Sequence, residues 1–305
     1  MVDVTLIGTG ALLPIPERAL SSVLITYAGR SVLIDCGEGT QSAARAASVS
    51  LMKTDVIALT HYHGDHVFGI PGLLMTLNCM GRRDQLTIVG PSDAERELAP
   101  LLTLAGTLNY EVSVRPADGA IKLSDAGGRQ YGAELIPFET SHRVVSCGYV
   151  FRLSRPGVFI PENAERLGIP YRFWGILQRG ENVTVDGMTF TPDQVLGQTR
   201  KGLSVTVSGD TVPCQTLIDA AEKTDLLICE ATYGENSQED LAAEHGHMTF
   251  AQAGKTAAEA GAARLWTTHY SQMISDPEEY IVNARDFYPA AECGTDGKKI
   301  TLRFE

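Results

Sequence analysis

The sequence predicts an α/β fold in which mixed β-sheets are covered by helices. Three observations point to it: strand-length apolar runs recur along the chain, a short turn joins two of them as a hairpin, and capped helical stretches lie between others. Val2–Ile7, Ser22–Tyr27 and Ser31–Ile34 come first, with Ala28-Gly29-Arg30 as the hairpin turn. Asp55-Val-Ile-Ala-Leu-Thr60 is a short apolar run of the buried-strand type. Ser92-Asp-Ala-Glu95 and Thr249-Phe-Ala-Gln252 read as capping boxes, the second opening an Ala-rich helix that ends near Gly261. Further strands are expected at Gln85–Val89, Tyr110–Val114, Ala133–Phe138, Gly148–Leu153, Leu203–Val207, Leu226–Cys229 and Leu265–Thr268. Hairpins mixed with flanking helices favour a sandwich over a purely parallel, doubly wound sheet.

Composition narrows the class. With 305 residues, 44% hydrophobic and 20% charged, the chain is an ordinary globular protein rather than a disordered or fibrous one. No apolar run reaches the ~18 residues of a membrane span, and the amino-terminal residues read as a strand rather than a signal peptide. Cys36, Cys79, Cys147, Cys214, Cys229 and Cys293 are scattered without CxxC spacing, which argues against a zinc ribbon or a disulfide framework and for a reducing cytoplasm. The net charge of −12 excludes a surface coated in basic charge. Yet Arg143–Lys201 carries eight basic against five acidic residues, a local +3 that leaves −15 on the remainder. The same region is rich in Pro, Gly and aromatics between Ser154 and Lys201, and its weak periodicity marks an excursion from the body.

The chemistry concentrates in Thr60-His61-Tyr62-His63-Gly64-Asp65-His66. If the preceding strand continues through His63, residues two apart share a side, so His61 and His63 can grip one ion. Gly64 permits a turn, after which Asp65 and His66 project toward a second ion. Imidazole suits zinc, iron or copper, and the carboxylate beside it favours a hydrolytic site. Three of only seven histidines fall within six positions, beside an Asp.

This segment resembles the His-x-His-x-Asp-His signature of the metallo-β-lactamase superfamily, and the resemblance spans the chain. It implies an αββα sandwich, two mixed sheets flanked by helices. It also implies a later His, Asp and His at strand ends; His142, Asp210 and His269 occur in that order. Taken singly, such a His is an ordinary hydrogen-bonded loop residue, and Asp210 could simply cap a helix. By the resemblance, His61, His63 and His142 would hold a first ion, Asp65, His66 and His269 a second, and Asp210 would bridge them. The implied cofactor is two zinc ions, with manganese or iron as alternatives. Their purpose would be to lower the pKa of a shared water toward ~7.

Within that superfamily the chain is similar to ribonuclease Z, the endonuclease that trims the 3′ side of precursor tRNA. The stretches carrying this are Asp35-Cys-Gly-Glu-Gly-Thr-Gln41, Gly64–Leu73, Ser208-Gly-Asp-Thr211, Glu230-Ala-Thr232 and Gly246-His247. The resemblance implies His247 as proton donor to the leaving 3′ oxygen, steered by Glu230, with Asp65 both ligating and accepting the water's proton. It implies a single domain over 1–305 with an arm-like insertion at 151–202 that grips tRNA. Arg152, Arg155, Arg172, Arg179, Arg200 and Lys201 are the candidate RNA contacts, and a homodimer would present one subunit's tRNA to the other's site. Four stretches differ from the family's text. Cys229 stands where it has His, Pro14–Ala19 lacks a Lys and an Asn, Met273 replaces an Arg, and Pro170-Tyr-Arg-Phe173 replaces a Gly-Pro-rich tip. The alternatives are a hydrolase of small phosphodiesters or sulfate esters, and a non-catalytic paralogue that binds RNA or a partner.

Overall fold

A computed structural model describes residues 1–124 and 130–304. In chain order the first strands are β1 (Val2–Gly8), β2 (Ser22–Tyr27), β3 (Arg30–Ile34), β4 (Thr54–Ala58), β5 (Leu86–Gly90) and β6 (Val112–Pro116). There follow β7 (Ile121–Ser124), β8 (Gln130–Glu139), β9 (Cys147–Arg155), the small hairpin β10 (Val183–Val185) and β11 (Met188–Phe190), and β12 (Arg200–Val207). The last are β13 (Leu226–Glu230), β14 (Leu265–Thr268), β15 (Ala291–Cys293) and β16 (Lys299–Leu302). They form two seven-stranded sheets, ordered β16-β1-β2-β3-β4-β5-β6 and β15-β14-β13-β12-β9-β8-β7. Both are mixed: β3 through β6 run parallel, as do β12 through β15, and the other pairings are antiparallel.

Period-two alternation decides the layering. In β3, Val32 and Ile34 enter the core between the sheets, whereas Leu33 faces the helices outside. In β13, Leu226 and Ile228 point inward, while Leu227 and Cys229 point to the outer helices. Both faces of each sheet are therefore buried, which is why these strands read as continuous apolar runs. Helices Thr40–Ala46, Ile70–Cys79 and Ala94–Leu104 cover the first sheet, and Gln215–Ala220, Phe250–Ala260 and Ile281–Arg285 the second. The result is the αββα sandwich that the sequence predicts.

The β2–β3 turn has Ala28 and Gly29 at φ 44° and 78°, the two positive values that a two-residue hairpin loop needs. Thr249 and Gln252 form the expected capping box, and Gly261 closes that helix at φ 61°. The other expected box fails. Helix Ala94–Leu104 starts after Asp93, in the left-handed region at φ 67°, and no side chain caps it.

Residues between β9 and β12 leave the body. They form the short helices Pro161–Arg166 and Trp174–Gln178 and the β10–β11 hairpin, around a small core of Ala164, Ile169, Leu177, Val183, Phe190 and Val195. Arg155 and Arg200 are register partners at its root, so the excursion starts and ends at one place on the second sheet.

Candidate metal centre

The strand before the histidine motif ends at Ala58, so His61 and His63 do not lie on β4 as expected. They occupy an extended loop pinned on both sides: Leu59 N–H donates to Val89 O (2.8 Å) and Cys147 N–H to Thr60 O (2.9 Å). Loss of pairing leaves the spacing effective, because His63 is still extended (φ −63°, ψ 150°). His61 Nε2 and His63 Nδ1 lie 2.9 Å apart. The helix Gly64–Val67 then carries Asp65 and His66.

The other candidates arrive from loops at the same edge of the sandwich. His142 sits between β8 and β9, Asp210 after β12, His269 after β14, and His247 between the helices Glu239–His245 and Phe250–Ala260. His61, His63, His142 and Asp210 form one cluster of potential ligand atoms, and Asp65, His66 and His269 a second. Asp210 lies between them: its carboxylate oxygens are 3.6 Å from His61 Nε2 and 3.3 Å from both His66 Nε2 and His269 Nε2. Asp210, His247 and His269 make a third, overlapping group. All seven ligands named from the sequence thus converge, with His247 and Glu230 beside them.

The hydrogen-bond network fixes the histidine tautomers. His66 Nδ1 donates to Asp35 Oδ2 (2.8 Å), and His142 Nδ1 to Gly246 O (2.8 Å). The Thr60 hydroxyl donates to Asp35 (2.9 Å), leaving its oxygen to accept from His61 Nδ1 (3.1 Å). The Thr232 hydroxyl donates to Glu230 Oε2 (2.7 Å) and accepts from His269 Nδ1 (2.9 Å). Four histidines therefore turn Nε2 lone pairs inward, and His63 offers Nδ1. Asp35, Thr60 and Thr232 carry no role in the sequence reading. Their signal was present in the motifs around Asp35, His61 and Glu230, but which histidine each one serves depends on the fold.

Two turns at the site require special backbone. His269 adopts φ 57° and Asp35 φ 59°, conformations that cost energy for any residue with a Cβ and that collect at functional sites. Gly246, at φ 79°, lets His142 approach; a Cβ there would stand 2.6 Å from His142 Nδ1.

The donor set fits a divalent cation. Metal ligands must be deprotonated. Burial and the neighbouring His66 push the His61 pKa down, and burial and His142 lower that of His63. His66 goes the other way: burial alone would lower its pKa, but Asp210 and Asp35 outweigh that and raise it, so a cation would have to displace its proton. Asp210 is buried and Asp65 half-buried, which alone would raise their pKa values, but His269 and His66 hold both well below the usual range. Asp210 Oδ1 is buried and accepts no hydrogen bond from the described residues. Inward-facing lone pairs around an unsatisfied carboxylate oxygen cost free energy unless a cation lies among them.

Glu230 is buried and accepts from Thr211 N–H (2.7 Å), Met248 N–H (3.2 Å), Thr232 and His247 Nδ1 (2.9 Å). With Nδ1 bound to Glu230, His247 keeps Nε2 for the cleft. Burial disfavours its charged form, yet Glu230 outweighs that and pushes its pKa up to about 9. Cys229 points the other way, into the core under the outer helices beside Met248, and burial pushes its thiol pKa upward. That departure from the family's text does not reach the cleft.

The candidate RNA contacts fall in two places. Arg152, Arg155, Arg200 and Lys201 belong to β9 and β12, at the root of the excursion, whereas Arg172 and Arg179 lie on it. Arg152 pairs with Glu134 (3.4 Å), Lys201 with Asp225 (2.8 Å) and Arg179 with Glu181 (3.0 Å). Arg155 lies over the Phe304 ring and Arg172 over Phe173, while Arg200 donates to Pro156 O.

Two mixed sheets with histidines and aspartates gathered at their strand ends define a metal-dependent hydrolase of the metallo-β-lactamase fold. Residues 2–115 match the family described as anti-Pycsar protein Apyc1. The ribonuclease Z of Lachnospira eligens is 41% identical over 306 residues, covering 100% of this chain and 99% of that protein. That of Lachnoclostridium phytofermentans is 39% identical over 308 residues, with the same coverage. The short form of human tRNase Z superposes with a TM-score of 0.68 at 25% identity, over 99% of this chain and 100% of that one. The metallo-β-lactamase fold protein YhfI of Bacillus subtilis shares the fold at 21% identity, with a TM-score of 0.67 over 98% of each chain. This chain belongs to the ribonuclease Z family.

Proposed function

We propose that this chain is an endoribonuclease that removes the 3′ trailer of precursor tRNA with two divalent ions, zinc in the first instance. His61, His63 and His142 would hold one ion, Asp65, His66 and His269 the other, and Asp210 both. Such a pair of ions acidifies water near neutral pH and neutralises charge that builds on phosphoryl oxygens. The observation that carries this reading is the position of Asp210 between the two groups of ligands.

The protein's own side chains supply the proton transfers. His247, charged at neutral pH through Glu230, donates its Nε2 proton to the 3′ oxygen as the P–O3′ bond breaks. The tRNA then ends in a hydroxyl and the trailer keeps the phosphate. Asp65 faces the same space, anchored by Leu12 N–H at 2.7 Å, and accepts a proton from the attacking water.

The chain is read as one domain, 1–305, with residues 151–202 as an arm that holds tRNA away from the cleft. Its separate small core supports this, as do the basic residues Arg152, Arg155, Arg200 and Lys201 gathered at its root. A homodimer would let one arm serve the neighbouring cleft, and the cytoplasm supplies the substrate. No helix among the described residues is long and apolar enough to cross a membrane. The test is incubation of purified protein with a defined precursor tRNA, alongside metal analysis. The expected result is two ions per chain and a 5′-phosphorylated trailer; no cleavage with zinc, manganese or iron overturns the reading.

A further inference from the structure

The cleft above the ligands encloses about 1040 Å³, and its mouth is unusually apolar for a site that receives a polyanion. Leu12, Leu13, Phe68, Val144, Leu241 and Met273 all line it and are all exposed, Phe68 to 62% and Met273 to 81%. They come from five separate segments: the loop after β1, the turn after the helix Gly64–Val67, the loop of His142, the helix Glu239–His245 and the loop of His269. Soluble proteins seldom gather exposed apolar side chains around one opening without a ligand for them.

The charges of the lining narrow the choice. Arg143 is the single Lys or Arg among the described residues of the cleft, which also carries Glu38, Asp65 and Asp210. Phosphates flanking the scissile bond would therefore meet almost no fixed cation at the mouth. Unpaired bases present flat apolar faces and suit such a collar, because stacking and apolar contact tolerate any base sequence. The cleft exceeds the space of one small ligand, so bases on both sides of the bond can enter.

We propose that this collar is a subsite for the unstacked nucleobases flanking the scissile phosphodiester, held by stacking and apolar contact rather than by phosphate salt bridges. The proposal rests on the RNA reading above and adds how substrate is held at the cleft. It explains why Met273 can stand at the rim in place of a cation: the residue packs against a base.

The test compares the wild type with the double variant Phe68→Ser, Met273→Ser, which removes the collar's aromatic ring and its most exposed side chain, on an intact precursor tRNA and on one whose two nucleotides flanking the cleavage site are abasic. Both side chains are exposed, so the fold and metal content of the variant, measured by thermal unfolding and elemental analysis, should match wild type. The wild type should lose on the order of 10- to 100-fold in kcat/KM on the abasic precursor, scaling with stacking per base. The variant should show a similar loss on the intact precursor and little further loss on the abasic one. Independent, multiplying losses overturn the proposal. So does a variant that keeps full abasic sensitivity but sediments as a smaller species, which would assign the collar to contact with a second copy. A wild type that binds two metals yet cleaves neither precursor overturns the RNA reading itself, and the subsite falls with it.

Discussion

Asp35 and Glu230 hold the site in the same way from opposite sheets. Each is a buried carboxylate at a strand end that takes one histidine directly and a second through a threonine hydroxyl. Asp35 binds His66 and, through Thr60, His61. Glu230 binds His247 and, through Thr232, His269. The two relays aim four imidazoles into one cleft from both halves of the sandwich.

Weakening one relay should loosen the ions without removing a ligand. Asp35→Asn keeps a side chain tolerated at φ 59° but removes the charge behind His66. Metal affinity, measured by competition with a chromophoric chelator, is expected to fall about 10- to 100-fold. Unchanged affinity would show that the carboxylate is dispensable.

Glu230 should set the alkaline limit of the reaction. With the His247 pKa near 9, the donor stays protonated through neutral pH, and the rate falls as pH rises through about 9. In Glu230→Gln that limb should move down toward the ordinary histidine value near ~6.5. His247→Ala should cost about 10²- to 10⁴-fold in kcat. The stability linkage has the same sign. Because the folded pKa is raised, the stabilising contribution of His247 is complete below ~6.5 and is lost as pH rises through about 9. Rate–pH profiles of both forms decide the matter.

Arg18 braces the loop that follows His269. Its buried guanidinium donates to the carbonyls of Tyr270, Ser271, Ile274 and Ser275 and lies 5.5 Å over the Tyr270 ring. Tyr270 O keeps Ala11 N–H and Ser271 O keeps Ile274 N–H, so Arg18→Met should leave the Ile274 and Ser275 carbonyls without that donor and cost about 1–3 kcal/mol of stability, read by denaturant unfolding. It should also weaken metal binding by relaxing the strained His269 turn. Wild-type stability in the variant would remove the brace from the account.

Deleting the arm should separate chemistry from tRNA binding. Arg155 and Arg200 are neighbours across β9 and β12, so replacing residues 156–199 by a short turn preserves the sheet. The truncated protein is expected to hydrolyse bis(p-nitrophenyl) phosphate at the wild-type rate. It should lose only the share of salt-dependent tRNA affinity that Arg172 and Arg179 carry, because Arg152, Arg155, Arg200 and Lys201 remain on β9 and β12, and this is seen as a modestly shallower slope of log affinity against log salt. An unchanged slope would move the RNA contacts elsewhere.

Local pattern carried much of this molecule. Strand runs were legible because both sheet faces are buried, and the Thr249–Gln252 cap because a capping box needs only four adjacent residues. The candidate ligands His61, His63, Asp65 and His66 were legible because they fall within six positions, and His142, Asp210 and His269 because each sits in a stretch that resembles the family's motifs. Pattern failed where a neighbour decides. Whether β4 continues to His63 depends on where its partner strands stop, and whether Ser92 caps a helix depends on the turn before it.

The sequence by itself determined the layered sandwich, through hydrophobic period, and, through its family resemblance, the seven candidate ligands, since such motifs are properties of single segments. Only the tertiary structure decided which ring nitrogen each histidine presents, that Arg18 reaches the loop after His269, and that four of the six candidate RNA contacts lie at the arm's root. Those are relations between strand ends 100 or more residues apart in some cases, as His66 and His269 are. No segment encodes such a relation alone; packing two sheets face to face creates it.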